Sequence, residues 1–288
     1  MMMNTGDELA VRWRYHAGHG ALVWQLMFTR AGILVGQKRF AGSRKALFFC
    51  IDTVTGKVYC DDYLFEEHLP PPSLPEGWFT VLETTLGDLV YCSASQPDSP
   101  AHQGIWAVDF RGAGVAWSRP DLVFIANLEE ELLACRLSSF AGFPERHFVL
   151  IDPVSGVDTR LLGLDTLEVN ALRAEVVQEE VRQQVNLPEF VTEGMGQERM
   201  ALQRVGIGAV TRAECIVQGS LTVAVLHEPG TLTGLWDSSL KVWRNDCLVY
   251  AETLDEGAEK PALNNFLLRS DALYYLKGRE ELVCVELR

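Results

Sequence analysis

The chain has 288 residues, 48% of them hydrophobic, with a formal net charge of −14 and a pI near 4.9. That excess of carboxylates argues against a nucleic-acid interface, which needs a basic face, and would repel an anionic membrane surface. The length suits one large repeat domain or two ordinary ones.

Seven cysteines, an odd number, include no CxxC pair and no zinc-type spacing. Most sit in apolar strand patterns, where free cysteine acts as a small hydrophobe, so a reducing compartment is expected. The opening stretch MMMNTGDELAVRWRYHAG lacks the apolar centre of a signal peptide. No run reaches the roughly 20 apolar residues of a membrane span. These features predict a cytoplasmic chain.

In chain order, Leu9 to His16 alternates Val11, Trp13 and Tyr15 against Arg12, Arg14 and His16, the pattern of a half-buried strand. Four strands follow between 22 and 65, ending in a hairpin over KALFFCIDTVTGKVYCDDYLF whose turn is Thr53 to Gly56. The proline-rich connector His68 to Gly77 separates these from a second set of four over 78–118, with the polar stretch Gln96 to Gln103 read as a turn. A third set occupies 122–163, and its turn Pro153 to Gly156 repeats the chemistry of Thr53 to Gly56. From Leu164 to about Arg212 the pattern breaks. Val169, Leu172, Val176, Glu180 and Gln183-Gln184 share one helical face, and Pro188 ends any helix, so 164–212 is either a helical insertion or a degenerate blade. Strands resume over 213–254, with Asn245-Asp246 as a turn, and a polar loop from Asp255 to Pro261 leads to a last group of three over 264–288.

Four short strands per unit, repeating every roughly 42 to 50 residues, predict an all-β fold: a β-propeller of four-stranded antiparallel blades. Five units are recognisable, and the interval 163–213 leaves a count of six or seven open. The last group lacks a fourth strand while Leu9 to His16 is unassigned, so the N-terminal strand is expected to close the last blade. The whole chain, 1–288, then reads as one propeller domain. On this rhythm the chain resembles the propellers of PQQ-type and WD-type repeat proteins. Trp117 before Ser118-Arg119-Pro120 echoes the former, and Trp236-Asp237 is a single WD dipeptide. The chain is also similar to a bacterial propeller-like family to which no activity attaches.

Asp52, Asp109 and Asp152 recur at the ends of third strands. They would form either a ring of carboxylates at one mouth or, as the commoner role of aspartate before a turn, acceptors for backbone N–H groups. His16 and His19 in HAGHG would need further ligands such as His68 or His227-Glu228 to hold a metal, and turn histidines are the commoner case. Asp61-Asp62 and Glu66-Glu67 lack a calcium-loop pattern and read as a solvated strand edge. Gly194-Met195-Gly196 and Gly206-Ile207-Gly208 do not link a strand to a helix as a phosphate loop does, and no GxSxG elbow occurs. The expected function is therefore a non-catalytic binding or scaffold role, with a protein or small ligand at a propeller mouth, no metal or cofactor, and a monomeric state. The alternative is an enzyme of hydrolase, lyase or quinone-dependent dehydrogenase type with its site on the propeller axis. For that reading His19, Asp52, Asp109 and Asp152 are the catalytic candidates to inspect, and 164–212 is the first place to look for a partner surface.

Overall fold

Apolar runs of five to nine residues, too short for stable helices and punctuated by glycine and aspartate, form antiparallel strands throughout the chain. The computed structural model describes residues 8–65, 77–96, 99–112, 114–192, 196–208 and 212–288. The proline connector, His68 with it, and the Gly194-Met195 pair fall outside these residues.

Strand β1 (Val11–His16) comes first in the chain but belongs to the last sheet. Blade 1 is β2 (Leu22–Phe28), β3 (Ile33–Phe40), β4 (Lys45–Asp52) and β5 (Val58–Tyr63). Blade 2 is β6 (Thr80–Leu86), β7 (Leu89–Gln96), β8 (Ser99–Asp109) and β9 (Gly114–Arg119). Blade 3 is β10 (Val123–Asn127), β11 (Leu132–Phe140), β12 (Phe143–Ile151) and β13 (Asp158–Gly163). Then come α1 (Thr166–Ala174), α2 (Glu179–Arg182), β14 (Val185–Asn186), β15 (Glu189–Phe190) and α3 (Gly196–Arg204). Blade 4 joins β15 to β16 (Arg212–Gln218), β17 (Leu221–Pro229), β18 (Trp236–Arg244) and β19 (Cys247–Ala258). Blade 5 runs β14, β20 (Phe266–Arg269), β21 (Ala272–Lys277), β22 (Glu281–Glu286) and finally β1. Five antiparallel sheets of four or five strands make this an all-β chain of the β-propeller class.

The chain divides into two compact units. Gly18–Gln183 holds blades 1 to 3; the residues up to Ala17 and Gln184–Arg288 hold blades 4 and 5. In the first unit, Val35, Phe48 and Cys50 pack on Leu82, Trp106 and Val108. Tyr91, Ile105 and Ala107 likewise pack on Leu132, Val149 and Ile151. The opposite face of blade 3, with Leu133, Cys135 and Leu150, is covered by Val169 and Leu172 of α1 and by Val176. Asp165 starts that helix by accepting the N–H groups of Leu167 and Glu168 at 3.1 and 3.0 Å.

Blades 2 and 3 are also locked by a tryptophan. The Trp117 indole N–H donates to the Pro153 carbonyl at 2.9 Å, and the Tyr91 hydroxyl donates to the same oxygen at 2.9 Å. Gly156 turns with φ +70°, and a Cβ there would sit 2.6 Å from the Trp117 ring. Glycine is needed twice over, for its backbone conformation and for the close approach. Beside this contact Asp121 and Asp158 bind Arg119 and Arg136 in a closed four-charge set, with nitrogen–oxygen distances of 2.7–3.2 Å.

The segment read as one helical face is broken. Helix α1 stops at Ala174, and α2 is a single turn, so Val176, Glu180 and Gln183 do not continue it. Between 163 and 213 the described residues form no further blade; they add one two-residue strand to each sheet of the second unit. The end of α2 serves the first unit. The Gln183 side chain accepts the Phe28 N–H at 2.8 Å and donates to Glu179 at 2.7 Å. Glu179 accepts the Thr84 hydroxyl at 2.8 Å and pairs with Arg182, which reaches the Asn127 carbonyl at 3.3 Å. Phe28 and Asn127 end the first strands of blades 1 and 3, and Thr84 lies two residues before the end of the first strand of blade 2, so one helical turn ties all three.

In the second unit, blade 4 packs Val223, Val225 and Leu240 on Phe266, Leu273 and Val283 of blade 5. Its other face, with Cys215, Leu226 and Trp243, is covered by Leu202 of α3. Strand β1 pairs with β22 as expected, and Arg12 and Arg14 reach Glu286 and Glu281 at 3.3 and 3.2 Å. Two stretches read as turn or loop are partly strand. β7 reaches Gln96 and β8 starts at Ser99, and β19 runs on to Ala258 because Trp236 pairs with Ala258. The Asn245-Asp246 turn has φ of 48° and 63°, the two positive angles of a type I′ hairpin.

Gln183→Ala removes the acceptor of a buried N–H and is expected to lower stability by about 1–3 kcal/mol. The exposed Gln178→Ala is expected to change it by less than about 0.5 kcal/mol. Urea unfolding of the two variants checks the difference; equal midpoints would contradict the tie.

Candidate functional site

Asp52, Asp109 and Asp152 all act on their own turns. Asp52 accepts the N–H groups of Val54 and Thr55 at 3.1 and 2.7 Å, the Thr55 hydroxyl at 2.9 Å and the Tyr59 hydroxyl at 3.2 Å. Asp109 accepts from the Arg111 and Gly112 N–H groups at 3.0 Å. Asp152 accepts the Ser155 N–H and hydroxyl at 2.7 and 2.6 Å. The Thr55 amide and hydroxyl hold the Asp52 carboxyl below the usual value of 3.8, and the Ser155 hydroxyl and amide do the same for Asp152. Asp52 and Asp109 both flank the Cys50 thiol, which burial pushes up to about 12. Asp109 lines a cavity of about 100 Å³ with Thr29, Asp88 and Arg111, and Asp52, Asp152 and His19 do not line it. His19 is exposed in the Gly18–Gly20 turn. Among the described residues no three His, Cys, Asp or Glu side chains are grouped to hold a metal ion.

The acidic run is partly internal in its purpose. Lys38 is 3% exposed, and its ammonium lies 2.7 Å from Asp61 and 2.8 Å from Asp62. A buried ammonium needs such partners, so these two aspartates answer a core charge rather than only solvating an edge.

Two serine–histidine–glutamate sets occur among the described residues. In blade 4, Ser238 lies 2.8 Å from His227 Nδ1 and Glu214 lies 3.4 Å from Nε2. The three are 0%, 0% and 2% exposed. A hydrolytic triad needs its serine open to substrate and hydrogen-bonded to Nε2; here the ring positions are exchanged and the hydroxyl is sealed. Glu214 also accepts the Asn264 N–H at 2.9 Å, which makes the set a structural clasp onto the segment before β20. In blade 2, Ser93 and His102 both bind Glu83, so the serine proton faces a carboxylate and not the imidazole.

A groove and a projecting hairpin lie together on blade 3. Strand β10 pairs with β11 only as far as Cys135, and β13 pairs with β12 only from Phe148 onward. Residues 136–147 therefore project as a two-stranded hairpin beyond their neighbours, paired out to Phe140 and Phe143. Ala141 and Gly142 turn it with φ of 51° and 85°. Phe140 and Phe143 at the tip are 71% and 74% exposed, and Leu137 below them is 55% exposed. Between the base of this hairpin and α1 lies a groove of about 700 Å³. Its floor is Val123, Ile125 and Phe148; one wall is Leu137 and Pro144, the other Leu164 and Val169. Arg146 and Arg173 stand on the two walls, with Asn170 beside Arg173.

None of these groove residues was singled out from the sequence except Val169. FAGF carried a signal, since glycine in a two-residue loop between aromatics marks a hairpin. The pairing of Arg146 with Arg173 across a groove carried none, because it depends on how α1 packs.

Compared by sequence, the chain matches no family model and no curated protein. Compared by structure, it is similar to acylaminoacyl peptidase from Pyrococcus horikoshii at 10% identity and a TM-score of 0.32, over 90% of this chain and 36% of that one. It is similar to the β-propeller domain of the Trilobed protease from Pyrococcus furiosus at 9% identity and a TM-score of 0.30, over 91% of this chain and 64% of that one. It is also similar to a putative glycoside hydrolase from Bacteroides ovatus at 9% identity and a TM-score of 0.27, over 96% of this chain and 89% of that one. The chain thus spans little more than a third of the peptidase's length.

Because the Asp52 and Asp152 carboxyls lie below 3.8 in the fold, they stabilise it above that pH, and the contribution is lost as pH falls through their folded values. The Asp52→Asn/Asp152→Asn double variant is therefore expected to show a smaller drop in Tm between about pH 5 and pH 3 than the parent chain. An equal drop in thermal melts would count against it.

The sealed Ser238, with no imidazole Nε2 to activate it, is expected to resist a fluorophosphonate serine probe in the native protein. Native labelling at Ser238, read by peptide mass spectrometry, would restore the hydrolase alternative.

Proposed function

We propose that this chain is a non-catalytic binding module that offers the blade 3 hairpin to a protein partner. One observation carries the reading: two phenylalanines, 71% and 74% exposed, face solvent at the tip of a hairpin that projects beyond its own sheet. Exposed aromatics gathered on one ordered projection are the anchors that interfaces bury, whereas scattered surface apolar residues mean little. The positive φ of Ala141 supports the same view, because a non-glycine residue in that region is held there by the rest of the hairpin. The carboxylates that would serve an enzyme are bound to their own turns, and the Ser238 set is sealed.

A photo-crosslinking residue placed at Ser139 in the full chain is expected to give a discrete adduct in cells. The same residue at the exposed Val154 is not. Phe140→Ser/Phe143→Ser is expected to abolish the Ser139 adduct while leaving the far-UV spectrum and Tm within about 2 °C, since surface changes cost little. Identical adducts from both positions, or an adduct that survives the double variant, would overturn the proposal.

A further inference from the structure

We propose that the groove between the blade 3 hairpin and α1 is a small-molecule site for an amphiphile with one anionic head on a long apolar body, a long-chain carboxylate. The site is distinct from the hairpin tip, and the ligand is not the protein partner proposed above.

The argument begins with charge. In a chain of net charge −14, two guanidinium groups line one groove. Several arginines elsewhere have carboxylate partners: Arg119 and Arg136 share Asp121 and Asp158, Arg160 meets Glu168 at 2.5 Å, and Arg14 meets Glu281, while Arg39 and Arg212 lie over tryptophan rings. Arg146 and Arg173 have no carboxylate within 4.0 Å among the described residues. Glu145, the one acidic residue on the lining, lies 3.4 Å from His147. Two unmatched cations on opposite walls suit an oxyanion, which can take charge-assisted hydrogen bonds from both.

The rest of the lining sets the body of the ligand. Val123, Ile125, Leu137, Phe148 and Val169 offer hydrocarbon, and apart from Glu145 the uncharged polar side chains there are Thr166 and Asn170. A polar ligand body would lose its water with few partners to replace it, so the lining selects an apolar one. About 700 Å³ lies within the ~300–1,000 Å³ range of small-molecule sites. An acidic peptide would meet the same charges but would bring backbone amides needing partners of their own, which these side chains do not supply in number.

The test is displacement of cis-parinaric acid from the full-length protein, read by fluorescence below the micellar concentration of every competitor. Palmitate is expected to displace the probe with a saturable curve. Hexadecanol, the same chain without the charge, is expected to compete about tenfold or more weakly, the loss of a charge-assisted hydrogen bond. Arg146→Gln/Arg173→Gln is expected to weaken palmitate by about tenfold or more without changing Tm, since both side chains are exposed. Leu137→Trp is expected to block the probe by filling the groove. Phe140→Ser/Phe143→Ser is expected to bind palmitate as the parent does, which separates this site from the partner surface. Absence of saturable palmitate binding, or equal binding by palmitate and hexadecanol, would overturn the proposal. So would unchanged binding in the double arginine variant, or saturable binding of an acidic amphipathic peptide in place of palmitate.

Discussion

A blade is apolar on both faces, and this constraint governs where everything else in the chain goes. Leu34, Phe48, Phe49, Cys50 and Ile51 are all sealed from water, although successive residues of a strand point to opposite sides. A sheet of this kind must be covered twice. Within the first unit blades 1, 2 and 3 cover one another, and the remaining face of blade 3 takes α1. Within the second, blade 5 covers one face of blade 4 and α3 covers the other. The two helices are answers to the same demand, which a sheet would otherwise have met.

That origin explains the character of the 164–212 segment. A single short helix covers a sheet face less completely than a second sheet does, and the groove beside α1 is the space left over. Helix α1 buries only Val169 fully, so its remaining surface is open to carry Asn170 and Arg173. The single turn of α2 has the opposite character. It has no buried apolar residue and holds its place through Glu179, Arg182 and Gln183 alone. Apolar packing fixes α1 and α3, and hydrogen bonding fixes the single turn between them.

Much of the fold was legible because it rests on local rules. DTVTG and DPVSG specify the same turn, and in both the aspartate side chain accepts the N–H of the residue three places on. The orphan strand at Leu9 to His16 and the incomplete last group had to be joined, and β1 pairs with β22. What was not legible depends on packing between distant segments. The helix-face reading placed Val176 and Gln183 on one helix, but Gln183 is positioned by Phe28, 155 residues away. Likewise the pattern of Asp61-Asp62 looked like a plain acidic edge, since nothing local says that Lys38 is buried. The groove was hidden for the same reason: Arg146 and Arg173 lie on different elements, and only the seating of α1 makes them neighbours of one space.

The pairing of β1 with β22 has a consequence for how the chain is made. Arg14 and its partner Glu281 stand 267 residues apart. Every strand of blades 1 to 3 has emerged by Gly163, and the α2 tie is complete at Gln183, so that unit can close while its successor is still being translated. Strand β1 must wait through all of this with an unpaired edge. Its outward side chains Arg12, Arg14 and His16 make that edge a poor template for wrongful pairing while it waits. The same charges then choose the right neighbour, because Glu281 and Glu286 of β22 are what they meet at the end.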